Sequence, residues 1–276
     1  MPLFFSSINS GSNGNCYYIG NNDEGVLIDA GISCRETEKR MKKLGLDMQK
    51  VKAIFVSHEH SDHITGIPGI SKKYQLPVYI TDQTFSNSNI PVEQHLIRSF
   101  APYQPICVGS ISVLPFPKSH DAADPHSFMI SQNNMHIGVF TDIGYACKHV
   151  IKHFTQCHAA FLESNYCDDM LEKGNYPESL KRRIRSKEGH LSNSQALGLF
   201  LTHRGKQLSH LVLSHLSRNN NSMQLVEDTF SPHAGNTKMI IASRYKETEV
   251  FCIDEKNTLS VATNKKSRSH QQLTLF

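Results

Sequence analysis

Four side chains that commonly bind metal ions lie within six residues, at His58, His60, Asp62 and His63. Three imidazoles and one carboxylate suit zinc and similar borderline cations. The apolar run at residues 51–56 directly before them predicts a buried strand. In an extended backbone His58 and His60 point to the same side and could bind one metal, whereas Asp62 and His63 could reach a second. A single His-x-His is often a surface feature, but four such residues behind an apolar strand indicate a metal site.

Further histidines and a carboxylate lie where the chain is expected to leave a strand or enter a helix. His120 and Asp142 come just beyond expected strands, His215 follows a short apolar run, and His190 precedes an expected helix. Binding residues are concentrated in such loops at the ends of rigid elements. Taken singly, each of the four could still be a structural residue.

The spacing His-x-His-x-Asp-His resembles the signature of the metallo-β-lactamase superfamily, and the wider chain is similar to its small bacterial YycJ (WalJ) branch. The resemblance extends in order over roughly residues 1 to 255. The other matching segments are Leu-Ile-Asp-Ala-Gly around Asp29, Ser-His-Asp-Ala around His120, Phe-Thr-Asp-Ile-Gly around Asp142, Gly-His-Leu-Ser-Asn around His190 and Leu-Ser-His-Leu-Ser around His215.

This resemblance implies a centre with two divalent metal ions. One ion is expected on His58, His60 and His120, the other on Asp62, His63 and His215, with Asp142 bridging them. Zinc is the expected metal, with manganese or iron as alternatives. Two ions about 3.5–4 Å apart can activate a water and neutralise charge on a phosphoryl oxygen. The resemblance also assigns Asp29 a supporting role, as a partner that orients an imidazole without binding metal.

The candidate catalytic residues are Asp62, Asp142 and His190. His190 lies directly before the expected start of a helix, where anions are favoured. Its imidazole could bind a phosphate or protonate a leaving oxygen. The alternative is a structural histidine at the start of that helix.

The resemblance to the YycJ branch implies a DNA exonuclease with 5′-to-3′ polarity. Single strands are the expected substrate, in replication-associated or mismatch repair. Two alternatives stay open at this point. One is a phosphodiesterase that acts on small, cyclic phosphoesters, and the other is a non-catalytic adaptor whose metals only stabilise the fold.

The composition favours a cytoplasmic protein without membrane segments. The 276 residues carry a formal charge of +4, which permits a nucleic-acid partner without demanding one. Seven scattered cysteines without a Cys-x-x-Cys pair are typical of reduced thiols. We expect no signal peptide, because the N-terminus has no basic region followed by an apolar core. We expect no membrane span, because no apolar run approaches the length of a bilayer.

The expected strands fall into two groups, one in each half of the chain, with helices after each. Pattern alone predicts an α/β or α+β fold with two sheets. The resemblance makes this an αββα sandwich, in which two mixed sheets face each other and the helices lie outside. One catalytic domain is expected over residues 1–260. Capping boxes at Ser33–Glu36 and Ser192–Gln195 predict helix starts. Residues 64–74 predict one helix after the metal loop, the segment of residues 57–63 that carries His58, His60, Asp62 and His63.

Residues 181–187 form the densest basic run in this domain. One interpretation is the solvated face of a helix. The other is a track for a phosphate backbone, since the run leads directly to Gly189 and His190.

Residues 261–276 are expected to be a disordered basic tail. The pentapeptide at residues 272–276 resembles the motif with which bacterial replication and repair proteins bind the sliding clamp. Gln272 would hydrogen-bond at the rim of the clamp pocket, and Leu275 and Phe276 would fill it as anchors, with Leu273 as a further residue of the motif. The alternative is a terminal segment that packs on its own domain.

Overall fold

Two seven-stranded mixed sheets form the centre of the computed structural model, which describes residues 1–254. The first sheet contains β1 (Leu3–Asn9), β2 (Cys16–Gly20), β3 (Gly25–Ile28), β4 (Val51–Phe55), β5 (Val78–Tyr79), β6 (Ile97–Arg98) and β14 (Phe251–Ile253). The second contains β7 (Ile106–Val108), β8 (Ile111–Pro117), β9 (His126–Gln132), β10 (Met135–Phe140), β11 (Ala159–Glu163), β12 (His210–Ser214) and β13 (Lys238–Ile241).

Nine α-helices connect these strands within residues 1–254. They are α1 (Cys34–Lys43), α2 (Ser61–Ile64), α3 (Ile67–Tyr74), α4 (Asp82–Ser88), α5 (Lys148–Phe154), α6 (Asp168–Lys173), α7 (Glu178–Arg185), α8 (Asn193–His203) and α9 (Met223–Phe230). None of them has the length and apolar character needed to cross a bilayer.

Three buried apolar clusters define the layers. The first fills the space between the sheets and includes Phe5, Tyr17, Phe55, Phe128 and Phe161. A second joins the outer face of the second sheet to α5, α8 and α9, and a third joins the outer face of the first sheet to α1 and α3. Each sheet thus buries both faces, one against the other sheet and one against helices. This arrangement confirms the expected αββα sandwich.

In both sheets, the carboxyl-terminal ends of several strands lie at one edge. Strands β3 to β6 are parallel, and so are β10 to β13. Strand β8 runs in the direction of β10, because both pair antiparallel with β9. Loops that follow parallel strands meet at the same edge of a sheet, where ligands bind in open α/β sheets. This topology therefore brings together side chains that are far apart in the sequence.

The predicted helix starts have different outcomes. At α8 both capping-box bonds form, from Gln195 N to Ser192 Oγ and from Ser192 N to Gln195 Oε1. At α1 Ser33 accepts from Glu36 N, but the Glu36 carboxylate pairs with Arg40 instead of closing the box.

The prediction of one continuous helix over residues 64–74 was wrong. The chain forms two short helices, α2 and α3, with a break at Thr65 and Gly66. Gly66 N donates to Ala30 O at 2.7 Å, and a Cβ on Gly66 would lie 1.9 Å from Ile32 O. Close packing on the segment after β3 therefore interrupts the helix. The expected domain boundary at residue 260 and the tail at residues 261–276 lie outside the described residues.

Candidate metal centre

The predicted site residues meet at the edge where β3, β4, β8, β10, β11 and β12 end. Three of the residues that follow these strands adopt a left-handed backbone, with φ of 57° at Asp29, 54° at Asp142 and 58° at His215. Non-glycine residues rarely adopt this conformation, and it is concentrated at functional sites. It turns the chain sharply at the strand ends, where these side chains enter the site.

The loop after β4 packs against the loops before β2 and after β3. Asn15 N donates to Asp62 O at 2.6 Å, and Gly31 N donates to Asn15 O at 2.8 Å. The Asn15 amide also donates to Asp62 Oδ2 at 3.1 Å. A Cβ on Gly31 would lie 1.7 Å from Asp62 O, so only glycine permits this approach. These contacts hold the first turn of α2, which carries Asp62 and His63.

His58, His60 and His120 form the first ligand group. Their ring nitrogens lie within 4.8 Å of one another, with His58 Nε2 3.1 Å from His60 Nδ1. Ser57 Oγ lies 2.8 Å from His58 Nδ1, and Gly189 O lies 3.0 Å from His120 Nδ1. Since Gly189 O can only accept, Nδ1 of His120 is the protonated nitrogen, and its Nε2 is left for a metal.

Asp62, His63 and His215 form the second group, again within 4.8 Å. Oδ2 of Asp62 lies 3.6 Å from His63 Nε2 and 3.5 Å from His215 Nε2. The opposite nitrogen of His63 is held by Asp29, whose Oδ2 lies 2.7 Å from Nδ1. Thus one side of the His63 ring is fixed and the other side faces the site.

Asp142 lies between the two groups. Its Oδ2 is 3.1 Å from His63 Nε2, and its Oδ1 is 3.9 Å from His120 Nε2 and 3.3 Å from His215 Nδ1. One carboxylate that reaches members of both groups is the arrangement that a bridge between two metals requires.

Several buried polar atoms of the site lack a hydrogen-bond partner within residues 1–254. They include Nε2 of His120 and Nε2 of His215. Buried polar atoms are normally satisfied, so such a cluster needs a partner of another kind. Imidazole and carboxylate donors are those that divalent transition metals prefer. The residues present therefore fit divalent metal ions.

The two ligand groups differ in charge. Burial lowers the pKa of His120 to about 3 and that of His58 well below its usual range, so these imidazoles are neutral. Burial also opposes a charge on His63, but Asp142, Asp29 and Asp62 outweigh it and raise its pKa to about 10. These three carboxylates thus favour a proton on His63, and a bound cation would replace that proton.

Glu163 is a site residue that the sequence analysis missed. It is fully buried at the end of β11, and its Oε1 lies 2.7 Å from His190 Nδ1 and 3.0 Å from His215 Nδ1. Its Oε2 accepts from Ile143 N at 2.8 Å. The sequence could have indicated Glu163 only through its position at the end of an apolar strand, close to where the other site residues follow their strands.

An open cleft lies over the centre. Its base includes His60, Asp62, Asp142, His190 and His215. His58, His63 and His120 are buried directly behind these residues. The fold thus brings all eight predicted metal-binding and catalytic residues to one cleft. Their roles as ligands or catalytic groups stay predictions.

Comparison with known proteins agrees with this geometry. The sequence model of the β-lactamase superfamily domain matches residues 25–216. A Bacillus anthracis protein named exodeoxyribonuclease YycJ is 37% identical over 236 residues, covering 84% of this chain and 89% of that protein. Streptococcus pneumoniae exodeoxyribonuclease WalJ is 29% identical over 230 residues, covering 82% of this chain and 86% of that protein.

A solved structure supports the fold independently. The metallo-β-lactamase fold protein YhfI of Bacillus subtilis superposes with a TM-score of 0.69 at 17% identity, over 92% of this chain and all of that one. Family match, relatives and site together identify a metal-dependent hydrolase. The chain belongs to the metallo-β-lactamase superfamily and, within it, is similar to the YycJ and WalJ proteins.

Proposed function

We propose that the protein is a metal-dependent nuclease that degrades DNA from the 5′ end, with single strands as the preferred substrate. The observation that carries this proposal is the alignment with a relative named exodeoxyribonuclease over 84% of the chain at 37% identity. The site supports it, since two ligand groups that share one carboxylate suit phosphodiester hydrolysis.

In this proposal, His58, His60 and His120 would hold one ion, and Asp62, His63 and His215 would hold the other. Asp142 would be the ligand that both ions share. Zinc is the proposed metal, with manganese and iron as alternatives to be tested. When bound, the ions would activate the attacking water and offset charge on the scissile phosphate.

We assign proton transfer to the leaving oxygen to His190. The ring borders the cleft, and the Glu163 carboxylate 2.7 Å from Nδ1 can hold the proton on that nitrogen. Nε2 is then the nitrogen directed toward a substrate, and Glu163 stabilises the ring when it carries a second proton. Glu163 acts through His190 and is a positioning residue.

Digestion of end-labelled single-stranded DNA by the metal-reconstituted full chain tests this function. With a 5′ label, mononucleotide should be released at once, and with a 3′ label, products should shorten step by step. The reverse pattern would contradict the polarity. Hydrolysis of cyclic phosphodiesters without cleavage of DNA would favour the small-molecule alternative. A protein with both metals and no hydrolysis would favour the adaptor.

A cytoplasmic location and a role beside the replication machinery belong to the same proposal. All seven cysteines are unpaired, which suits a reducing compartment. The pentapeptide at residues 272–276 lies outside the described residues, so its clamp interaction rests on its sequence. Tethering would raise the local enzyme concentration on newly made DNA without changing the chemistry.

Replacing both Leu275 and Phe276 by Ala tests the tether. This variant should lose binding to the bacterial sliding clamp and keep hydrolysis of free oligonucleotides, because the two side chains are the proposed anchors. Full-length wild type that shows no clamp binding in a titration at tens of micromolar would contradict the tether.

A further inference from the structure

Helix α7 forms one wall of the cleft through Leu180, Arg183 and Ile184. Among the described residues that border the cleft, Arg183 is the only lysine or arginine. It lines the same cleft as His190 and Asp142, and the other ionisable side chains of its described lining are carboxylates, imidazoles and the Tyr176 phenol. A permanent positive charge at this wall is placed where a polyanionic substrate would enter.

Asp121 holds Arg183 in this place. The guanidinium Nε donates to Asp121 Oδ2, and Asp121 N is fixed in turn by Glu188 O at 3.0 Å. Neither terminal amino group of Arg183 makes a hydrogen bond to the part of the chain that the structure describes. Two parallel N–H donors are therefore oriented by the ion pair and left free for a ligand.

The other basic residues of the helix are engaged elsewhere. Lys181 Nζ donates to Glu172 O at 2.5 Å, and Arg185 pairs with the Glu172 carboxylate. Arg182 Nε lies 3.8 Å from Glu178 on the solvent side, with 75% of its side chain exposed. Of the basic residues of α7, Arg183 alone borders the cleft.

The Arg183 side chain is more exposed than the reacting groups of the site. Its side chain is 53% exposed, whereas those of Asp142 and His215 are almost fully buried. The guanidinium thus lies at the rim of the cleft, and the reacting groups lie at its base. An extended polynucleotide carries further phosphates outside the scissile one, and a guanidinium at the rim is available to bind one of them.

We propose that Arg183 binds a backbone phosphate adjacent to the scissile phosphodiester and so makes the site prefer polynucleotides over small phosphoesters. This inference rests on the proposed nuclease function. Arginine presents paired donors that match two phosphate oxygens, which a lysine cannot reproduce. Phosphate contacts of this kind set register and affinity without reading sequence.

The test compares Arg183→Gln with Arg182→Gln in the metal-loaded full chain. The substrates are a single-stranded oligothymidylate and bis(p-nitrophenyl) phosphate, which has one phosphate only. Arg183→Gln should raise KM for the oligonucleotide about tenfold with little change in kcat, as expected for loss of a charge-assisted contact. The factor by which Arg183→Gln lowers kcat/KM should be about five times larger, or more, for the oligonucleotide than for the small ester. Arg182→Gln should match wild type on both.

Salt dependence supplies a second readout. The affinity for single strands falls as the salt concentration rises, and each phosphate contact adds about 0.7 to the steepness of log affinity plotted against log salt concentration. Arg183→Gln should make this dependence shallower by about 0.7, and Arg182→Gln should leave it unchanged. Arg183→Lys should keep the slope but recover only part of the affinity, since the charge is retained and the paired donors are not.

Three outcomes would overturn the inference. Arg183→Gln could match Arg182→Gln on the oligonucleotide, which would leave the nuclease function intact. Arg183→Gln could lower kcat/KM by the same factor on both substrates, which would indicate a structural role for Arg183. Wild type could hydrolyse the small ester and no oligonucleotide, which would overturn the proposed function as well.

Discussion

Oδ2 of Asp29 lies 2.7 Å from Nδ1 of His63, and both side chains are completely buried. The same carboxylate accepts from Ser57 N and Ser57 Oγ, each at 2.8 Å. Asp29 therefore joins the end of β3 to both ends of the metal loop. It fixes the His63 ring with Nε2 turned toward Asp62 and Asp142, as partners behind metal-binding histidines do.

We predict that Asp29→Asn weakens metal binding by roughly 10–100-fold, the usual effect of losing such a partner. The amide keeps the shape of the carboxylate but not its charge, so His63 is less firmly held. Competition with a chelator of known affinity measures the change. Asp23→Asn, on an exposed turn, is the control and should behave as wild type. Wild-type affinity in Asp29→Asn would contradict the supporting role.

A second prediction concerns Asp142 as the bridge. Reconstituted wild type should contain two metal ions per chain. Asp142→Ala should stay folded, retain at most one tightly bound ion and lose most of its turnover, because the carboxylate reaches both ligand groups. Elemental analysis with parallel circular dichroism checks this, and Asp169→Asn on exposed α6 is the control. One ion or none in reconstituted wild type would exclude a dinuclear centre.

The third prediction separates His190 from the metal ligands. His190→Ala should keep both metals and lower kcat by roughly 10²–10⁴-fold, the range expected for a general acid. Glu163→Gln should lower kcat by less, since it acts through the imidazole. His203→Ala, at the far end of α8, is the control.

The metal content of the His190→Ala variant shows whether His190 is a metal ligand instead of a proton donor. Asp142, Glu163, His190 and His215 offer ligand atoms within 4.8 Å of one another, so this group could itself hold a cation. Loss of an ion from His190→Ala would make His190 a ligand. Unchanged turnover with both metals present would make it structural.

Four of the seven proposed ligands have a local signal in the sequence, whereas His120, Asp142 and His215 were assigned through the family resemblance. His58, His60, Asp62 and His63 follow one apolar strand, and the fold places them as that pattern implied. Glu163 had no comparable signal, since its partners His190 and His215 lie 27 and 52 residues further along the chain. The contact between these three residues becomes visible only when the parallel strands that end at this edge are placed side by side.

The broken helix after the metal loop has a similar explanation. The apolar pattern of residues 64–74 is compatible with one helix, and α3 occupies most of it. The break is set by Gly66, whose N–H donates to the backbone oxygen of Ala30, a residue that lies far earlier in the sequence. Local propensity contains no information about that contact, because the partner belongs to the segment after β3.

The last prediction compares two glycines that differ only in their surroundings. Gly31 lies against the metal loop, where a Cβ would be 1.7 Å from Asp62 O and 2.7 Å from Asn15 N. Both neighbours are backbone atoms, so no side-chain rotation can relieve the clash. Gly198 lies within α8, and nothing lies within 4 Å of its ideal Cβ.

Gly31→Ala should therefore lower the free energy of unfolding by about 1–3 kcal/mol, as overpacking of a close contact does. It should also weaken metal binding, because the displaced backbone carries Asp62 and His63. Gly198→Ala should raise the free energy of unfolding by about 0.5–1 kcal/mol and leave metal affinity unchanged, since alanine is the better helix former. Urea denaturation and chelator competition measure both quantities. Equal behaviour of the two variants would show that the approach of Gly31 to Asp62 does not constrain the metal loop.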